Sequence, residues 1–147
     1  WPEIDAVREA LQQAGYWEGP QVRAPRGGRP GIRRLTLGDS YVVLIGRNSE
    51  QNHRLVTELS SPSDLWLHAR GIPGSHVIIR HDGRPIPEAV IQRAAELAAY
   101  FSQGRSDAAV EVDVTERRYV RPIRHARPGM VTYRNERTLI VRPSRQP

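Results

Sequence analysis

The sequence predicts an α+β fold: a mostly antiparallel sheet with one principal helix packed on it, plus an N-terminal helix. Three observations lead to this prediction. Short segments rich in apolar and β-branched residues recur between Gly and Pro turn signals. One longer segment carries its apolar residues at helical spacing. The length of 147 residues suits a single compact core.

The beginning of the chain is predicted to form a helix followed by a linker. Residues 1–18 should hold the N-terminal helix, because apolar residues recur at helical spacing after Pro2. Residues 19–31 alternate Pro and Gly with arginine, which is typical of a flexible basic linker. The folded domain is therefore expected to span residues 32–147.

The first part of this domain is predicted to contain four strands. A Gly-Asp turn signal joins the first two, and a Gly-Ile-Pro-Gly turn separates the other two. The intervening residues 48–59 are predicted to form a short helix or an irregular segment. The predicted strands are Arg33–Leu37, Tyr41–Gly46, Leu65–Ala69 and His76–Arg80.

The second part contains the principal helix. It should begin near Pro87, which suits a first helical turn, and its apolar stripe runs to about Gly104. Val110–Thr115 alternates as a strand does. Met130–Tyr133 and Thr138–Val141 flank a polar turn and are predicted to form a closing hairpin.

The charge of the chain indicates a polyanionic partner. Lys and Arg total 22 against 16 Asp and Glu, a net charge of +6, and every one of these basic residues is arginine. Guanidinium groups bind phosphate bidentately and stack on bases. Cysteine is absent, which excludes disulfides and thiolate metal sites. The sequence has no apolar run of membrane-spanning length, so we expect a cytoplasmic protein.

The densest group of functional side chains lies in residues 64–77. Strand alternation places four polar or aromatic side chains on one face of the sheet: Asp64, Trp66, His68 and Arg70.

The turn that follows should fold Gly74, Ser75 and His76 back toward this face. Its backbone N–H groups would then be free to approach a phosphate. We therefore predict one solvent-open pocket, next to a basic loop, that suits a splayed nucleotide.

Two further groups are candidate RNA contacts. One polar segment could bind RNA or could only cap the following helix, and it contains Arg47, Asn48, Gln51 and Asn52. A run of arginines with little acid is predicted to lie on one exposed loop leading into the last hairpin, and its members are Arg121, Arg124 and Arg127.

The motif residues also have structural interpretations. Trp66 could belong to the core, and the two histidines could be satisfied by internal hydrogen bonds. A metal site built from His68 and His76 with Asp64 or Asp113 is conceivable from the ligand types. The spacing matches no metal template, so we expect no metal and no cofactor.

The sequence resembles the NFACT RNA-binding domain, a module at the C-terminal end of proteins once labelled fibronectin-binding. Asp-Leu-Trp-Leu-His and the following Ile-Pro-Gly-Ser-His-Val carry the resemblance, and supporting similarity lies in Gly46–Asn52, Ala98–Ser102 and Pro128–Val131. The chain departs from the family pattern at Gly71, where the family commonly has Asp or Asn. It departs again at His125, a place often held by Gly.

The resemblance implies an RNA-binding function. The domain would act with the N-terminal NFACT domain of the same full-length protein to hold tRNA on a stalled large ribosomal subunit, itself built on rRNA. In bacterial members this activity supports the addition of C-terminal alanine tails to the stalled chain. Residues 1–18 would be the end of the preceding coiled-coil region, and no membrane would be involved.

Two other classes of function stay open at this point. In a nucleic-acid-processing enzyme, His68 or His76 would act as the general base with Asp64 orienting it. No nucleophile–base pair or paired-carboxylate motif is evident in the sequence, so we expect a domain without catalytic residues. An extracellular adhesin is the third possibility, and it rests on the old family label alone.

Overall fold

The computed structural model describes residues 31–145. The predicted helix in residues 1–18 and nearly all of the predicted linker in residues 19–31 lie outside the described residues. None of the helices within residues 31–145 is long and apolar enough to cross a membrane.

The described chain alternates short strands with two α-helices and one 3₁₀ turn. In chain order the elements are β1 (Arg33–Leu37), β2 (Tyr41–Ile45), α1 (Ser49–Thr57), β3 (Leu65–Ala69), β4 (Val77–Ile79), α2 (Glu88–Tyr100), β5 (Val110–Glu116), the 3₁₀ turn (Arg117–Tyr119), β6 (Val120–Pro122), β7 (Val131–Tyr133) and β8 (Arg137–Val141).

Six strands form one antiparallel sheet in the order β1-β2-β4-β3-β5-β8, and β6 and β7 form a separate two-stranded sheet. The predicted Gly-Asp turn joins β1 to β2, and Gly38 there has a φ of 56°, a left-handed conformation that glycine adopts without a steric penalty. The predicted α+β class, with a mostly antiparallel sheet and one principal helix, is confirmed.

The principal helix, α2, covers the apolar face of the large sheet. Leu67, Val77 and Val112 are fully buried on this face, as strand alternation requires. The inner side of α2 consists largely of alanines such as Ala94 and Ala98, both fully buried. Small side chains let the helix approach the sheet closely. This layer is the larger of the two cores.

The opposite face of the sheet carries a second, smaller core. Leu55 and Val56 of α1 pack there with Trp66, Ile78 and the β6 residue Val120. This covering by α1 and the β6–β7 sheet places the motif face of β3 inside the protein.

The predicted closing hairpin is wrong. The segment that ends at Tyr133 pairs with β6, and β8 pairs instead with β5. Two hydrogen bonds anchor β7 over the polar face: Tyr133 donates to Asp113 at 2.6 Å, and the hydroxyl of Thr115 donates to the Arg134 carbonyl at 2.8 Å. Strand β6 is only three residues long and ends in a proline, so it lacks the alternation by which a strand is predicted.

Candidate nucleic-acid interface

The candidate site lies at the end of the large sheet where β3 ends and β4 begins, which we call the motif end. The Gly46 N–H donates to the carbonyl of His76 at 3.0 Å, and the Ser75 N–H donates to the carbonyl of Phe101 at 2.9 Å. The segment after β2, the turn before β4 and the C-terminus of α2 therefore meet at this end.

Four rings form a cluster on the motif face: Trp66, His68, His76 and Tyr133. The His68 ring stacks on Trp66 with 5.9 Å between centroids, and the two histidine rings meet edge to face at 5.0 Å. The tyrosine ring lies 4.6 Å from Trp66. The predicted placement of Trp66 and His68 on one face, with His76 folded back toward them, is therefore observed.

The predicted solvent-open pocket is wrong. Trp66 has 0% of its surface exposed, His76 and Ser75 are also buried, and His68 is partly buried. Strand alternation correctly assigns the face, but it does not reveal that α1 and the β6–β7 sheet cover that face. The cluster is a polar core.

The backbone of the predicted phosphate loop is also occupied. The Ser75 N–H is bonded to the end of α2, and the His76 N–H donates to the Asn52 side-chain oxygen at 3.1 Å. Gly74 bridges to Ser102, and a Cβ at Gly74 would lie 2.9 Å from the serine Cβ. This glycine therefore permits a close approach of two chain segments, and the Ser75 and His76 N–H groups are not free to bind a phosphate.

Hydrogen bonds fix the protonation of His76. The indole N–H of Trp66 donates to His76 Nδ1 at 3.2 Å, so that nitrogen carries no proton. Burial holds the pKa of His76 well below its ordinary value, and the nearby His68 and His53 lower it further. Burial also lowers the pKa of His68, whose Nε2 lies 3.2 Å from the Gly74 carbonyl oxygen. Both imidazoles are therefore neutral at pH 7.

This burial predicts acid sensitivity. Because the folded-state pKa of each histidine lies below its unfolded value near 6.5, the unfolded chain binds more protons as pH falls below about 6.5. Each neutral histidine should therefore make its full contribution to the free energy of unfolding above that pH. Below it, the free energy of unfolding should fall by up to about 1.4 kcal/mol per pH unit for each histidine. Urea unfolding between pH 7 and pH 5 measures the slope.

Two variants separate this effect from general acid sensitivity. His68→Gln should flatten the dependence of the unfolding free energy on pH. His125→Asn should leave it unchanged, since His125 is exposed and Asn tolerates its left-handed φ of 64°. Equal slopes in all three proteins would show that the buried imidazoles do not cause the effect.

Asp113 links the cluster to the surface. This buried carboxylate accepts hydrogen bonds from Tyr133 at 2.6 Å, Thr138 at 2.6 Å and Arg70 at 3.1 Å. Burial and the bond to Asp113 raise the pKa of Tyr133 above its ordinary value. Tyr133 and Thr138 were not predicted as site residues, because their positions depend on strand pairing. Arg70 is exposed, as the prediction of an open pocket requires. Its guanidinium, however, donates a hydrogen bond to Asp113.

Asp64 does not join the histidines. Its two carboxylate oxygens accept hydrogen bonds from the backbone N–H groups of Ser61 and His81, each at 2.8 Å. Its role is therefore to order the chain on both sides of β3, and it is not placed to orient a histidine base. Within residues 31–145 no group of three or more His, Asp or Glu side chains could hold a metal ion.

The polar segment before α1 has a clear capping role. Asn48 caps the helix by accepting from the Gln51 N–H at 2.8 Å, and the Gln51 side chain accepts from the Arg47 N–H at 2.8 Å. Asn52 is fully buried and fixes the backbone of His76. The Arg47 side chain is half-buried, and within residues 31–145 its Nε has no hydrogen-bond partner.

The predicted basic loop is exposed, with one change in its bounds. Arg124 and Arg127 lie on the connection between β6 and β7, whereas Arg121 belongs to β6 itself. None of the three has a carboxylate partner within residues 31–145. Gly129 of the same connection lies against Ser49 at the start of α1, so the loop adjoins the motif end.

The fold and these unpaired arginines define a basic α+β binding domain. Residues 34–134 match the family model described as the NFACT protein RNA binding domain, and the chain belongs to this family. The resemblance found in the sequence is therefore confirmed.

Individual relatives agree with this assignment. The chain is 38% identical over 142 residues to the Rqc2 homolog RqcH of Streptococcus suis and 37% identical over 144 residues to that of Bacillus subtilis, covering 97% and 96% of this chain. It spans about a quarter of each relative's length, 26% and 25%. A solved structure, the C-terminal part of the fibronectin/fibrinogen-binding protein from Streptococcus suis, matches with a TM-score of 0.75 and 38% identity, covering 97% of this chain and 58% of that one.

Proposed function

We propose that this chain binds RNA as the RNA-binding domain of a ribosome-associated quality control factor. The observation that carries the proposal is the exposed basic loop with Arg121, Arg124 and Arg127, which have no carboxylate partner within residues 31–145, in a chain of net charge +6. Membership of the NFACT family and the names of the RqcH relatives support it. Phosphates would neutralise the arginines and release counterions.

The finer role follows from the family resemblance. The domain would bind tRNA and the rRNA of a stalled large ribosomal subunit, together with the N-terminal NFACT domain of the full-length protein. It would thereby support C-terminal alanine tailing in the cytoplasm. Relatives also include a ribosome quality control complex subunit NEMF homolog of Drosophila melanogaster, 32% identical over 65 residues that cover 44% of this chain and 7% of that protein.

We propose a binding role without catalysis. The processing-enzyme hypothesis requires a histidine base that reaches substrate and a carboxylate that orients it. His76 is buried beneath α1, and the Asp64 oxygens are bonded to backbone N–H groups. Incubation with labelled tRNA should give complexes and no cleaved or modified product.

The first test is the salt dependence of binding. The 147-residue chain should bind bulk tRNA with an affinity that falls steeply between 50 and 200 mM salt, by roughly 10-fold or more for several phosphate contacts. Fluorescence anisotropy with labelled tRNA measures it. An affinity that does not change with salt would refute an electrostatic binding mode.

The second test removes the basic loop. Replacing Arg121, Arg124 and Arg127 together by Ala should weaken tRNA binding about 10-fold or more and lower the salt slope by about 2 to 3. The melting temperature should hardly change, because exposed charges contribute little to stability. A large loss of stability with unchanged binding would assign these arginines a structural role.

A further inference from the structure

A second group of arginines lies at the motif end, on elements other than the β6–β7 connection. Arg33 begins β1 and pairs in register with Ile45, the last residue of β2, so that Arg47 follows close by. The C-terminus of α2 brings Tyr100 and Phe101 to the same place.

Arg33 of this group and Arg105, which follows α2, each lie over an aromatic ring. The guanidinium carbon of Arg33 lies 5.0 Å from the Phe101 ring centroid, and that of Arg105 lies 5.1 Å from the Tyr100 centroid. The two rings themselves meet edge to face at 5.0 Å. Stacking holds a guanidinium plane in a fixed orientation and leaves its in-plane N–H groups available to an acceptor.

The cations of this group also repel one another. The pKa of Arg33 is lowered, first by partial burial and then by the charges of Arg47 and Arg145. The Ser144 N–H donates to the Glu96 carbonyl at 3.2 Å, which holds the tail that carries Arg145 against α2. Within residues 31–145 none of Arg33, Arg47 and Arg145 forms a salt bridge. An external anion would relieve this repulsion.

The opposite end of the sheet shows the contrast. Three exposed arginines there each have a carboxylate partner: Arg84 with Asp82 at 2.6 Å, Arg118 with Glu116 at 2.7 Å, and Arg137 with Glu88 at 2.8 Å. The described chain therefore neutralises these three arginines internally, whereas within residues 31–145 Arg33, Arg47 and Arg145 have no carboxylate partner.

We propose that Arg33, Arg47, Arg105 and Arg145, with the supporting rings of Tyr100 and Phe101, form a phosphate-binding site for the RNA backbone. This arginine–aromatic site is a second contact, additional to the basic loop, and it rests on the proposed RNA-binding function. The stacked guanidinium groups would each donate in-plane to phosphodiester oxygens, and Arg47 and Arg145 would add charge beside them. Such contacts position RNA without selecting a base sequence.

The test compares two variants with the same loss of charge. Arg33→Gln, Arg47→Gln and Arg145→Gln together remove three arginines without a salt bridge among the described residues, and Arg84→Gln, Arg118→Gln and Arg137→Gln together remove three that have one. The first variant should weaken binding of bulk tRNA at least about 10-fold and lower the salt slope by about 2 to 3, since each lost phosphate contact lowers it by roughly 0.7 to 0.9. The second should lower the slope by less than about 1.

Further variants keep the test decisive. Lysine at the same three positions should retain most of the slope, because phosphate contacts need the charge. Arg145→Glu alone, in the exposed tail, should lower the slope by about 1 even if the triple variant unfolds. Equal losses in both triple variants, or no loss in the first, would overturn the site. Failure of the unaltered chain to bind tRNA would instead refute the proposed function.

Discussion

Replacing Trp66 by alanine is expected to lower the free energy of unfolding by about 3–5 kcal/mol. The indole is fully buried between α1 and the β6–β7 sheet, and it contacts His68, His76 and Tyr133. Removing it leaves a cavity lined by polar rings and deprives His76 Nδ1 of its donor. Urea unfolding at pH 7 with an unchanged m-value measures the loss.

Two variants calibrate this result. Trp66→Phe keeps most of the ring volume but loses the indole N–H, so it should cost about 1–3 kcal/mol through the unsatisfied His76 nitrogen. Ile140→Ala removes a side chain that is 70% exposed and should change the unfolding free energy by less than about 0.5 kcal/mol. A Trp66→Ala loss no larger than that of Ile140→Ala would show that the ring cluster is not a core.

The same burial changes what motif variants can report about RNA. A solvent-open pocket would make His76→Ala reduce RNA binding more than stability. Because His76 is buried and bonded to Trp66 and Asn52, its removal should first destabilise the fold. Binding by such variants is informative only where the folded fraction has been measured. The exposed arginines offer a more direct probe.

Local pattern was enough to predict most of the fold. Alternation located β3 and β5, the Gly-Asp turn signal located β1 and β2, and the apolar stripe located α2, because each of these segments carries a local signal of its own. The closing hairpin could not be predicted correctly, since β7 pairs with the three-residue β6 across an eight-residue connection. Pairing of such short strands depends on tertiary contacts, here those of Tyr133 and Thr115.

The site could be predicted only in part. Alternation placed Trp66 and His68 on one face, but nothing local showed that α1 would cover them.

Two departures from the family pattern have a simple conformational account. Gly71 has a φ of 71° and His125 a φ of 64°, so both lie in the left-handed region. Gly, Asn and Asp are the residues that most readily adopt it, which accounts for the family's choices at both places.

The second large effect is expected at Asp113, whose carboxylate is 1% exposed. Asp113→Ala should lower the free energy of unfolding by about 3 kcal/mol, because three donors lose a charged acceptor and the partly buried Tyr133 hydroxyl is left without its partner. Asp113→Asn keeps one acceptor oxygen and should cost about half as much. Urea unfolding at pH 7 gives both values.

A double-mutant cycle tests whether the hydrogen bond to Tyr133 carries this effect. Tyr133→Phe should cost about 1–2 kcal/mol alone, and its cost should largely disappear in the Asp113→Ala background, since the same bond is then already absent. Asp82→Ala, in an exposed ion pair with Arg84, serves as the matched carboxylate control and should leave the unfolding transition nearly unchanged. Additive losses at Asp113 and Tyr133 would mean that the carboxylate does not hold β7 over the sheet, and that the apolar contacts of Trp66 alone fix its position.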